Sequence, residues 1–155
     1  MLPWVLGTLA CPPSHDVSDA GPTTQQVRLL SDDILARAPK THRATVRNIL
    51  VGWDRTYAHQ KAMGHGDPRA AERTEEQAVA LAGEIYSRAR RGEDFIALMK
   101  QYSEDPGTSQ NGQVYHVEPD GKTEPDFQAI SLRLEVGEVG VVRTAYGFHI
   151  VQRIE

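Results

Sequence analysis

The chain of 155 residues has a single cysteine, Cys11, so no disulfide can close within it and a cysteine-rich zinc site is excluded. It has no surplus of positive charge: 17 Lys and Arg stand against 21 Asp and Glu, a formal net charge of -4. A generic nucleic-acid binder carries a basic surplus, so nucleic acid is not an expected partner. No apolar run approaches the roughly 20 residues that cross a bilayer. Internal repeats and low-complexity blocks are absent. What remains is 39% hydrophobic and 25% charged, at a length suited to one folded domain.

Residues 1–10 (MLPWVLGTLA) are apolar and end in a small residue before Cys11. This resembles the tail of a bacterial lipoprotein signal, with Cys11 as the lipidation site and membrane tether, and implies an exported, periplasmic or membrane-anchored protein. No Lys or Arg precedes the run, as a secretory signal requires. The alternative is a cytoplasmic chain that starts at Met1 and keeps a free thiol. Residues 12–24 are rich in Pro, Ser, Asp and Gly and read as a flexible tether.

Apolar residues at Val27, Leu30, Ile34 and Ala38 predict a short amphipathic helix over residues 25–38, ended by Pro39. Residues 45–51 (TVRNILV) predict a strand bounded by Gly52. Residues 52–73 are polar, hold Gly64, Gly66 and Pro68, and read as a long loop. Thr74-Glu75-Glu76-Gln77 is a capping box, and Gly92 is a natural stop for the helix between them. A second helix is expected over residues 94–102 and a third over 126–134, with strands over 112–117, 139–144 and 148–154. The last two strands form a hairpin around Ala145-Tyr146-Gly147. Helices covering a small, partly antiparallel sheet make an α+β domain.

Several motifs then fall in one order. They are FIALMKQYSEDPGTSQNG from Phe95, Phe127, LEVGEV from Leu134 and TAYGFHIV from Thr144, preceded by VRNILV from Val46. Together they resemble a parvulin-type peptidyl-prolyl cis-trans isomerase, on the side of the bacterial exported foldases. The resemblance covers residues 45–155, with residues 25–44 as a short helical extension and 1–24 as signal tail and tether. It implies a four-stranded antiparallel sheet surrounded by about four helices. It also implies activity on unfolded or partly folded polypeptides containing X-Pro, without cofactor or metal.

The resemblance assigns site residues. His149 stands on the final strand, and the position that pairs with it holds Asn48, where the family has a second histidine. Asn48 can donate and accept but cannot protonate, so two titrating imidazoles are not on offer. Asp105 stands where some members have cysteine, which argues against a thiol mechanism. Its carboxylate either repels the substrate carbonyl oxygen or caps the Pro106-Gly107 turn. Tyr146 is assigned to support the network, or else rests on the surface. Val114, Thr123 and Phe127 are assigned to the proline slot, with Thr123 in place of a common methionine; core packing is the other role open to Phe127, as it is to His149.

The segment 52–73 holds Arg55, Lys61, Arg69 and Arg73 against Asp54, Asp67 and Glu72, with no adjacent Arg pair. Phosphoserine-proline specificity is therefore not expected. His59, His65 and Asp67 read as a solvated loop in preference to a metal site. Two functions are carried forward: an isomerase with non-covalent catalysis of X-Pro rotation, and a peptide-binding chaperone domain of parvulin fold without turnover.

Overall fold

The structure is a computed structural model that describes residues 28–155. Cys11 and the tether lie outside the described residues. Strand β1 (Ala44–Val51) is rich in β-branched residues and occupies the middle of the sheet. It pairs antiparallel with β2 (Tyr115–Val117) on one side and with β4 (Gly147–Arg153) on the other. The hairpin partner β3 (Val139–Thr144) completes the order β2-β1-β4-β3.

Side chains alternate across a strand, so the sheet divides its residues between two cores. On one face Ile49, Val51, Val141, Phe148 and Ile150 pack with Ala78, Ala82, Ile85, Phe95, Leu98 and Met99. Those partners come from α4 (Glu75–Arg90) and α5 (Phe95–Tyr102). On the other face Val46, Val142 and Val151 pack with Phe127 and Ile130 of α7 (Pro125–Ser131). His149, like Asn48, is an even step from these and belongs to the α7 face.

The capping box forms: Thr74 Oγ1 accepts from Gln77 N at 3.3 Å, and Gln77 Oε1 accepts from Thr74 N at 2.9 Å. Asp94 caps α5 by accepting from Ile96 N. These satisfy amides that have no partner within the helix.

Two expectations are corrected. Residues 52–73 are not an irregular loop, since they hold α2 (Asp54–Ala62) and α3 (Pro68–Ala71). Only Thr56 and Gln60 of α2 are buried, so the helix leaves no apolar period to read. Its start is set by the Thr56 hydroxyl, which accepts from Trp53 N and donates to Trp53 O. Asp67 caps α3, where Pro68 takes the first turn. The second correction concerns residues 25–38. Among the described residues the helix there is confined to α1 (Asp32–Leu35). Ser31 N donates to Val141 O and Ser31 Oγ accepts from Val141 N, which docks this stretch on the edge of β3 before the helix begins. One more helix, α6 (Pro106–Asn111), follows the SEDP motif. Of the seven helices among the described residues, the four longest are α2, α4, α5 and α7.

Two glycines give opposite predictions for one substitution. Gly147 has φ +145, and a Cβ there would lie 2.5 Å from Val51 O. That contact is backbone of the central strand and cannot yield cheaply, so Gly147→Ala is expected to destabilise by about 3 kcal/mol. Gly83 lies inside α4, and a Cβ there meets nothing within 4 Å. Gly83→Ala is expected to stabilise by about 0.5–1 kcal/mol. Denaturant midpoints of the two variants read both signs.

Candidate active site

Antiparallel register places the polar residues of the α7 face together. Leu50 pairs with His149 across β1 and β4, Asn48 with Val151, and Val142 with His149 across the hairpin. His149 Nδ1 lies 3.1 Å from Asn48 Oδ1, and His149 Nε2 lies 2.8 Å from Thr144 Oγ1. Asn48 Nδ2 donates to Asp105 Oδ2 at 3.1 Å. Asp105 also accepts from the Tyr115 hydroxyl through Oδ2 and from Gly107 N through Oδ1 at 2.9 Å.

Chemistry sets the direction of every bond in this chain. The Asp105 carboxylate accepts, so Asn48 turns its NH2 to Asp105 and its oxygen to His149. His149 therefore carries its proton on Nδ1 and donates it to Asn48. Nε2 is then an acceptor, and Thr144 donates to it while its own oxygen accepts from Tyr146 N at 3.1 Å. Burial pushes the His149 imidazole down to about 4, against the Asp105 charge, which pulls the other way. Burial and the Asp105 carboxylate both raise the Tyr115 hydroxyl, which stays a donor.

This chain forms one wall of a cavity of about 410 Å³. Phe127 stands edge-on to both Tyr115 and His149, with ring centroids 5.6 and 5.3 Å away. Leu50, Thr123, Glu124 and Tyr146 also line it. Thr123 Oγ1 is buried without a hydrogen-bond partner among the described residues. A proline ring fills a fraction of such a volume, and flanking residues can use the rest.

Of the residues singled out in the sequence, Asn48, Asp105, Thr123, Phe127, Tyr146 and His149 meet at this cavity. Val114 does not line it. The wall there belongs to the next residue, Tyr115, because neighbouring side chains of an extended segment point to opposite sides. Asp105 is also the cap of α6, so its capping role coexists with its place in the wall. Tyr146 joins the network through its backbone amide and stacks edge-on with His59 at 5.4 Å. Sequence reasoning missed Tyr115, Thr144 and Gln60. The hairpin register would have pointed to Thr144, which lies an even step from the residue opposite His149.

Gln60 brings α2 to the cavity rim, where Nε2 donates to Tyr146 O at 2.7 Å. The segment carrying it is anchored below by Glu104, which is 2% exposed. Glu104 accepts from Gly52 N at 2.7 Å and pairs with Arg73 at 2.7 Å, while Arg73 also donates to Gly52 O. Burial raises the Glu104 carboxyl above its ordinary value, and the Gly52 amide and Arg73 oppose that rise. Of the four cations in segment 52–73, Arg69 and Arg73 are thus committed to Asp67 and Glu104. Among the described residues no group of three or more His, Cys, Asp or Glu is placed to hold a metal ion.

An apolar slot against an oriented polar wall with a neutral imidazole suits rotation about a peptide bond, which needs no nucleophile and no proton transfer. Residues 30–155 match the PPIC-type PPIase domain, and the chain belongs to that parvulin family. It is 33% identical over 133 residues to the foldase protein PrsA of Caldanaerobacter subterraneus, covering 84% of this chain and 42% of that one. It is 39% identical over 82 residues to the chaperone SurA of Pseudomonas savastanoi pv. phaseolicola, covering 52% and 19%. The chain thus spans less than half the length of these curated relatives. The crystal structure of the peptidylprolyl isomerase PrsA from Bacillus cereus superposes with a TM-score of 0.51 at 28% identity, covering 80% of this chain and 38% of that one. The peptidyl-prolyl isomerase ESS1 of Candida albicans shares the fold at 18% identity, with a TM-score of 0.61 and coverage of 77% and 66%.

The network makes two predictions for stability. The folded His149 value of about 4 lies below the ordinary 6.5, so the unfolded chain takes up a proton that the folded chain refuses. This contribution is intact above pH 6.5 and is lost as pH falls from 6.5 towards 4, by about 3 kcal/mol in all. His149→Gln should flatten that part of the pH–stability curve measured by denaturant titration. Thr144→Val leaves Nε2 buried without a donor and should cost about 1–3 kcal/mol at pH 7. Thr144→Ser keeps the hydroxyl and should cost less; equal costs would mean that Thr144 does not donate to His149.

Proposed function

We propose that the protein is a peptidyl-prolyl cis-trans isomerase that assists the folding of other polypeptides by non-covalent catalysis and is not directed to phosphate. The observation that carries this reading is the cavity, where Phe127 and Tyr115 form an aromatic corner against the Asp105–Asn48–His149 chain. Uncatalysed rotation about X-Pro faces a barrier of about 18–20 kcal/mol from amide resonance. An apolar slot lowers it by holding the proline ring while the carbonyl twists, with polar groups that favour the twisted amide over the planar one.

In this reading the proline ring rests on Phe127, with Thr123 at its side. Asp105 disfavours the planar carbonyl by its charge. His149, neutral at physiological pH, and Asn48 act as positioning residues that hold Asp105 and the floor in register. Tyr146 closes the rim with Gln60. The substrates are unfolded or partly folded chains containing X-Pro. Support comes from the family match over residues 30–155 and from relatives named as foldase and chaperone. The proposal extends to export and a lipid tether at Cys11, supported by the apolar run before that cysteine. No helix among the described residues is long and apolar enough to cross a membrane.

A protease-free assay of a short X-Pro peptide tests the reading. Catalytic amounts of the protein should accelerate isomerisation, and Asn48→His, which restores the pair of the family, should keep or raise the turnover. Phe127→Ala should weaken peptide binding by the folded fraction. Acceleration by Asn48→His alone, with none by the natural chain, would make the protein a peptide-binding chaperone without turnover.

A further inference from the structure

The cavity wall is electrostatically one-sided. Among the described residues its lining holds two carboxylates, Asp105 and Glu124, and no Lys or Arg. Of the two histidines that line it, His149 is held neutral and His65 lies exposed at the rim. The three donors on Asp105 come from Asn48, Tyr115 and Gly107. All three are neutral, so they orient the carboxylate and leave its unit charge facing the cavity.

Glu124 is half-buried one turn before Phe127 and makes no capping bond to α7. None of the ion pairs among the described residues uses it. Two cations close to it in the chain or the fold are already paired. Lys122, next to Thr123 in the chain, pairs with Asp120 at 2.7 Å, and Arg69 pairs with Asp67 at 2.6 Å. Residues three apart at a helix start lie about 5–6 Å from each other. A side chain adjoining a proline seated on Phe127 therefore reaches Glu124.

We infer that the cavity selects polypeptide segments with a Lys or Arg directly beside the proline, and that Glu124 is the residue that sets this preference. The inference rests on the cavity being the proline site proposed above. It names the substrate class as cationic, in contrast to the phosphorylated or acidic segments that the same fold would take with a basic rim. A charge pair of this partly solvated kind is worth up to about fivefold. Attraction of Lys and repulsion of Glu together then predict about a tenfold difference in favour of Lys.

The test uses the full chain and end-blocked peptides in which Lys, Leu or Glu stands immediately before or immediately after a single proline. Binding by fluorescence titration and isomerisation by line-shape measurement are read for each peptide. The expected order is Lys over Leu over Glu in at least one of the two positions. The Lys-to-Glu ratio should fall as salt is raised and should move towards one in Glu124→Gln. Equal binding of Lys and Glu peptides in both positions, a preference for Glu, or an unchanged ratio in Glu124→Gln would overturn the inference. If no peptide is isomerised while the binding order holds, the isomerase reading fails and the charge selection stands. If isomerisation is fast but indifferent to charge, the isomerase reading stands and the inference fails.

Discussion

One carboxylate orders the site. Asp105 is the residue in the hydrogen-bond chain that can only accept, and that asymmetry propagates outward. It turns the Asn48 amide, the amide selects the Nδ1 proton of His149, and the ring then requires a donor at Nε2, which Thr144 supplies. Five residues from β1, the α6 cap and the β3–β4 hairpin are held in one arrangement whose bond directions all follow from that carboxylate, with the buried His149 ring kept neutral. Asp105 is itself fixed by its cap to Gly107, so the chain starts from a helix terminus and ends at the Tyr146 backbone amide.

An asparagine at position 48, where the family resemblance implies a second histidine, is consistent with this logic. Two imidazoles at these sites can exchange protons and tautomers; an amide and one imidazole beside a carboxylate cannot. Depth reinforces the effect, since burial drives His149 well below the ordinary histidine range. The site is therefore an oriented wall with a neutral imidazole and negative charge at Asp105 and Glu124, in keeping with a bond rotation whose barrier is electronic and needs no proton. Its rim depends on a second buried anchor, Glu104, which ties Gly52 and Arg73 together beneath α2 and α3. A buried carboxylate stripped of its partners is costly, so this anchor also keeps segment 52–73 on the domain.

Much of the frame was legible before any coordinates. β-Branched runs marked β1, β3 and β4, the Thr74–Gln77 box marked the start of α4, and strand alternation put His149 and Val151 on one face. The residues that escaped did so for identifiable reasons. α2 buries Thr56 and Gln60, so hydrophobic periodicity had nothing to register. α1 is short because Ser31 is drawn to the edge of β3, a contact between residues far apart in the chain. Val114 and Tyr115 are adjacent and both plausible in a slot, and a shift of one residue in an extended segment exchanges the side that faces the cavity.

Local chemistry in the sequence by itself determined the α+β class and the main helix and strand positions, while the residues of the cavity were named through the family resemblance. Such features depend on side-chain period, caps and turn residues, all of which act over a few positions. Tertiary structure alone decided which tautomer His149 holds, that Tyr115 and Thr144 complete its network, that Gln60 reaches the rim, and that Asp105 and Glu124 share the cavity wall with no Lys or Arg among the described residues that line it. Those outcomes depend on hydrogen-bond direction and charge proximity between strands and helices distant in sequence. They are settled when the sheet closes its register and α7 packs against it, and no local pattern encodes them.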